Sequence, residues 1–273
     1  MSPEKLGYQY DVGLHEAAKR AAERHRLCVS TPYKAPPEFD LEVLARAYLD
    51  LLEKRGLPPF LICEPSIQLT SGGYFNFLEP YRYPIKPEDI AGALSKIARF
   101  NGHNKSGFLA YTVAQHSVHA CENAPEEYKF EALMHDSQES LVGDTTTPLK
   151  QLCPDFQKYE DAAAGAIAYQ FHLPTKMSPI VKQIDIRMAA TEKRDLMVAD
   201  QPGDEWEFLR QIKPYPDKIE IWNPCIARMR WLDTFNELWP IHEKNWKVKQ
   251  ALNANTGINN TNANAKERQS EWV

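Results

Sequence analysis

The stretch Ala132–Asp144, "ALMHDSQESLVGD", joins two features that conflict. Ala132, Leu133 and Met134 suit the inward face of a helix running from about Glu126, yet His135, Asp136, Glu139 and Asp144 follow at once. A buried ionisable group is costly unless it is paired, hydrogen-bonded or bound to metal. His135 and Asp136 are neighbours, so their side chains diverge by roughly 100° around a helix. They can still converge on an ion lying between their two directions. Glu139 is four residues after His135 and three after Asp136, which places it on their face. The segment therefore predicts a polar site built against the core of a mainly α protein.

Working outward, two further helical segments carry matching residues. In "YTVAQHSVHACE" (111–122), His116 lies three residues after Val113 and four before Ala120, on an apolar face, with His119 one turn further on. In "SPIVKQIDIRMAATEKRD" (178–195), Ile180, Val181, Ile184 and Met188 form an apolar stripe, and Asp185 falls within it. That carboxylate needs an arginine (Arg187 and Arg194 are the near candidates), a set of amide donors or a cation. Two histidines and two aspartates, without a thiolate, suit a borderline or hard divalent ion: Mn, Co, Zn, Fe or Mg. A salt-bridge network in a helical scaffold is the alternative.

Around this set the chain reads as helices at about 87–99, 112–123, 126–138, 155–171, 178–194 and 225–248. "IQLTSGGYFNFLEP" (67–80) alternates and carries Gly72-Gly73, which predicts a short β-hairpin. Residues 14–26 and 39–55 read as amphipathic helices of an N-terminal extension spanning 1–65. The main domain is expected over 66–248. The Asn-rich segment 249–273 is poor in apolar residues and is expected to be a flexible tail. The helix near 225–248 carries Trp231, Leu232, Phe235, Leu238 and Trp239, enough apolar surface to pack on the domain or to build an oligomer.

Composition narrows the function classes. The chain has 273 residues, 43% of them hydrophobic, and no run of about eighteen apolar residues that would span a membrane. Its start lacks an apolar signal core, and its five scattered cysteines show no zinc-motif spacing, so a cytoplasmic protein with reduced thiols is expected. A net charge of −5 argues against a nucleic-acid polymer as partner.

The order His116, then His135-Asp136, then Asp185 resembles the H…HD…D signature of the HD-domain metal-dependent phosphohydrolases. The closer likeness is to the 5′-deoxynucleotidase branch, the YfbR- and YfdR-like proteins. It is carried by "RFNGH" (99–103), "TVAQHSVHA" (112–120), "EALMHDSQESLVGDTTTPLK" (131–150) and "IDIRMAATEKRDL" (184–196). Phe100 follows Arg99 where those deoxynucleotidases carry tryptophan. The resemblance implies an HD-domain helical bundle in which His116, His135, Asp136 and Asp185 hold one divalent metal ion. Glu139 would then orient or deprotonate a water, and Asp144 would position the sugar or protonate the leaving oxygen. Phosphate needs cations or amide donors, and Arg99, His103, His119 and Lys150 are the candidates, with Phe100 beside them against a base. The expected activity is hydrolysis of the 5′-phosphate of (deoxy)nucleotides by a homo-oligomer. A dNTP triphosphohydrolase releasing triphosphate and a catalytically silent nucleotide-binding regulatory module are the alternatives.

Overall fold

In the hairpin, Ser66–Gln68 (β1) pairs with Tyr74–Asn76 (β2) in a two-stranded sheet. The turn between them uses Gly72 at φ 83°, a left-handed conformation that glycine adopts without penalty. Asp89 ties this turn to the first helix: its carboxylate accepts from the Ser71 amide at 2.6 Å and from the Ser71 hydroxyl at 2.9 Å. The structure, a computed structural model, describes residues 65–105, 107, 109–198, 206 and 209–255. The chain divides between Ser66 and Ile67 into two units. The helices expected at 14–26 and 39–55 lie outside the described residues.

The described chain is mainly helical. Helix α1 is Pro87–Leu94, α2 is Val113–Glu122 and α3 is Lys129–Met134. Next come α4, Glu139–Val142, α5, Thr147–Leu152, and α6, Pro154–Gln170. The last two are α7, Pro179–Leu196, and α8, Pro224–Asn255. Proline at the first turn starts α1, α6 and α7, where its missing N–H costs no hydrogen bond. Thr112 caps α2 by accepting from the Gln115 amide. Among the described residues no helix is long and apolar enough to cross a membrane.

Three expected helices have different bounds. The helix expected at 87–99 stops at Leu94, because the backbone beyond pairs sideways: Arg99 N–H donates to Tyr111 C=O and Val113 N–H to Ile97 C=O. The helix expected at 126–138 is broken into a 3₁₀ turn over Glu126–Tyr128, α3 and a tightened segment leading into α4. The helix expected to end at 248 continues to Asn255, so the first residues assigned to a flexible tail are helical; the remainder lies outside the described residues. Short α5 was not anticipated.

Helix α8 lies across α1, α2 and α3. It drives Trp231, Phe235 and Leu238 into a core with Ile90, Leu94, Val118, Phe130 and Leu133. A second apolar cluster joins α2, α3 and α7 through Ala120, Ala132, Val181, Ile184 and Met188. Ile180, expected in that stripe, is exposed. Between the two clusters runs a seam of fully buried polar side chains, Gln115, His116 and Glu192 among them. The candidate site grows from that seam.

Candidate metal centre

The break in the expected 126–138 helix falls on the site. From Met134 to Leu141 the backbone closes bonds three residues apart: Ser137 N–H to Met134 C=O, Glu139 N–H to Asp136 C=O and Ser140 N–H to Ser137 C=O. Such tightening has about three residues per turn, so residues three apart come into line. Asp136 and Glu139 therefore lie one above the other, and Gly143 at φ 83° then turns the chain toward Asp144.

Helices α2 and α7 and the end of α3 bring His116, His135, Asp136 and Asp185 together. The two imidazole Nε2 atoms are 3.1 Å apart. Asp136 Oδ2 lies 3.2 Å from His135 Nε2 and 3.5 Å from His116 Nε2. Asp185 Oδ1 lies 3.5 Å from His116 Nε2 and 3.9 Å from His135 Nε2. Its other oxygen accepts from Lys182 at 2.8 Å, not from Arg187 or Arg194. Arg187 instead donates to Lys213 C=O, and Arg194 chelates Asp195.

The imidazole tautomers follow from their outer partners. His135 Nδ1 faces the Ala132 carbonyl at 2.7 Å, which can only accept, so Nδ1 carries the proton. His116 Nδ1 meets Glu192 Oε1 at 2.6 Å. Burial works against the Glu192 charge, but Arg99 and His116 outweigh it and hold that carboxyl below its ordinary range. Both Nδ1 positions are thus committed as donors, so with both rings neutral two Nε2 lone pairs point at one another with two carboxylate oxygens beside them. A metal cation between them, or in its absence a proton on His116, relieves that arrangement. Metal–ligand bonds of about 2.0–2.2 Å would set neighbouring donors roughly 3–3.5 Å apart; His116, His135 and Asp136 match that spacing, while Asp185 stands wider, 3.9 Å from His135. His116, His135 and Asp136 can hold a metal ion.

No protein-family model matches the chain. It is 42% identical over 177 residues to the uncharacterized protein YfdR of Escherichia coli (strain K12), an alignment covering 63% of the chain and 94% of YfdR. The chain belongs to the YfdR family. It is also 32% identical over 124 residues to an uncharacterized protein of Rhodobacter capsulatus, covering 42% of the chain and 63% of that protein.

The remaining candidate residues of this YfdR-family protein divide by location. Glu139 is buried, and its Oε2 has no hydrogen-bond partner among the described residues. Burial first, then Asp136 and Asp144, push its carboxyl well above the ordinary range. Asp144 is also raised, by burial ahead of its neighbours, with Arg99 opposing. Arg99 reaches into the cluster, but as a partner of carboxylates: Nε to Glu192 at 3.2 Å and Nη1 to Asp136 at 3.3 Å. Burial opposes its charge, while Glu192 and Asp136 more than restore it. Lys150 donates to Glu160 at 2.5 Å.

Other candidates point elsewhere. His119 is bound up with Gln115, Glu122 and the Trp222 ring. Phe100, left-handed at φ 56°, sets its ring edge-on to Trp206. His103 is exposed in the same turn. Trp206 also lines a separate cavity of about 310 Å³ against Lys105, Lys193 and Arg194.

Glu192 was not among the candidates read from sequence. The available signal was its place seven residues after Asp185, two turns along one helix face. Its apolar context resembled that of Asp185, but adjacent Lys193 and Arg194 suggested a solvated end of the helix.

Proposed function

We propose that this protein is an HD-type, metal-dependent phosphohydrolase that acts on the 5′-phosphate of nucleotides. His116, His135, Asp136 and Asp185 would hold a divalent ion. The reading rests on one observation: two buried imidazoles, each committed as a donor on its outer nitrogen, aim their inner nitrogens at one another 3.1 Å apart beside two carboxylates. The H…HD…D order of these residues supports the same assignment. When bound, a divalent ion supplies Lewis acidity toward water and a phosphate oxygen.

The chain's own groups then divide the proton work. Glu139, buried one turn beyond Asp136, is the base that takes a proton from the attacking water. Its Oε2 is unengaged by the described residues, which leaves an acceptor for that proton. Asp144, raised in pKa, is the nearby acid that returns a proton to the leaving 5′-oxygen. Water and a phosphate ester thus give a nucleoside and phosphate. Arg99 and Lys150 supply the positive charge around the phosphate; Arg99 shares its guanidinium with Asp136 and Glu192.

The test is a panel of deoxynucleoside mono- and triphosphates incubated with metal-stripped protein restored with Mn, Co, Zn or Mg. Release of inorganic phosphate from a monophosphate, dependent on one of these metals, is the expected result. Tripolyphosphate from a triphosphate would move the reaction to the triphosphohydrolase class. No product from any substrate with any metal, using protein that binds metal, would overturn the assignment.

A further inference from the structure

Outside the proposed ligand set, one fully buried carboxylate has no role yet. Glu192 stands on α7 two turns beyond Asp185, on the same face. It divides its two oxygens: Oε1 takes the His116 Nδ1 proton at 2.6 Å, and Oε2 takes the Arg99 Nε proton at 3.2 Å. Arg99 in turn reaches Asp136 Oδ2 at 3.3 Å, the same oxygen that faces both imidazoles. The contacts close a ring, His116–Glu192–Arg99–Asp136, around the centre. Arg99 is held there by backbone as well as charge, since its N–H donates to Tyr111 C=O at the head of α2.

We infer that Glu192 is the positioning residue of the metal centre: through His116 and Arg99 it orients one nitrogen and one oxygen donor at once. This rests on the metal centre but not on the proposed reaction. The physical argument is threefold. A carboxylate on the outer nitrogen fixes the imidazole tautomer and raises the basicity of the inner nitrogen. The guanidinium presents its donors in a rigid plane, so anchoring Nε on Glu192 also fixes where Nη1 meets Asp136. A lone glutamate buried completely beside a core would be costly, and the two charge-assisted bonds offset that cost. Arg99 thereby acts as a bracket on Asp136, a use that its resemblance to a phosphate clamp did not suggest.

Metal binding to the full chain, measured by chelator competition without any nucleotide, tests this. Glu192→Gln keeps the shape but removes the charge, and it is expected to weaken affinity about 10–100-fold. Glu192→Asp should recover part of that loss. A merely structural Glu192 would lower the melting temperature of metal-free Glu192→Gln and leave its metal affinity within about threefold, given the scatter typical of such measurements; that result overturns the inference. The wild-type protein gives a second test that needs no variant to fold. With Zn bound, ¹⁵N chemical shifts should show His116 protonated at Nδ1 and ligating through Nε2. Ligation through Nδ1, or a proton on Nε2, overturns the inference as well. Because no substrate is present, either failure leaves the phosphohydrolase proposal to its own assay.

Discussion

Two pairs of histidines in this protein occupy opposite surroundings. His116 and His135 lie among Asp136, Asp185 and Glu192. His172 and His242 lie among rings: His172 stacks on Trp246 at 3.7 Å and on Trp239, and His242 stacks on Phe130 at 4.2 Å. Burial and Arg99 both disfavour a proton on His116, yet Glu192 and Asp185 prevail and push its pKa up to about 9. Burial lowers both: at His172 the neighbouring His242 adds to it, and at His242 it outweighs the His172 and Phe171 carbonyls and Glu131. One side chain type thus serves a site that calls for positive charge and a site that excludes it. The surrounding carboxylates decide which, and the fold decides where the carboxylates go.

The comparison can be broken from either side, and the metal side offers the larger effects. His135→Ala and Asp136→Asn should each abolish metal retention on dialysis and turnover together. The loss should exceed the roughly 10–100-fold expected for a supporting partner such as Glu192. A fully active His135→Ala protein would end the metal reading. Glu139→Gln should retain metal and lose about 10²–10⁴ in rate, the usual range for a general base. Metal content measured beside phosphate release separates those two outcomes.

On the aromatic side the effects are smaller and concern stability. Trp246→Ala removes the stack on His172 and should cost about 0.5–1.5 kcal/mol beyond the lost burial, read from urea unfolding. Its metal affinity should match that of wild type, and a large change would show that the two regions are coupled. Acidification gives the smallest effect. A histidine whose folded pKa is lowered binds its proton more readily in the unfolded chain, so stability falls as pH falls through that interval. Full stability is present above the ordinary histidine value of about 6.5 and is lost as pH drops from there through the folded values. Combining His242→Gln with His172→Asn should flatten the decline of melting temperature between about pH 7 and pH 5, relative to wild type, since that interval spans the ordinary value. Asn is chosen at 172 because it tolerates the left-handed φ of 55° there.

Some of this was legible in the residues. Gly72-Gly73 between alternating segments marked the hairpin, and apolar period marked α2, α6, α7 and α8. His116 and Asp185 were visible as charges on apolar faces, and His135-Asp136 as a polar pair at the end of one. The helix bounds near the site were not legible. Leu94 ends α1 because residues 97–99 find partners at 111–113, which lie outside any local window. The partner of Asp185 was misjudged because Lys182, one turn back, outcompetes both arginines, and those go to carbonyls and to Asp195.

By itself, then, the sequence determined the helical class, the hairpin and the residue types available for a cation. These depend on local period and on the chemistry of single side chains. Only the tertiary structure decided that α3 tightens at Met134, that Glu192 joins the site and that Arg99 turns toward carboxylates. Each of those depends on the distance between groups far apart in the chain, and a charge's role is set by its nearest neighbours in space.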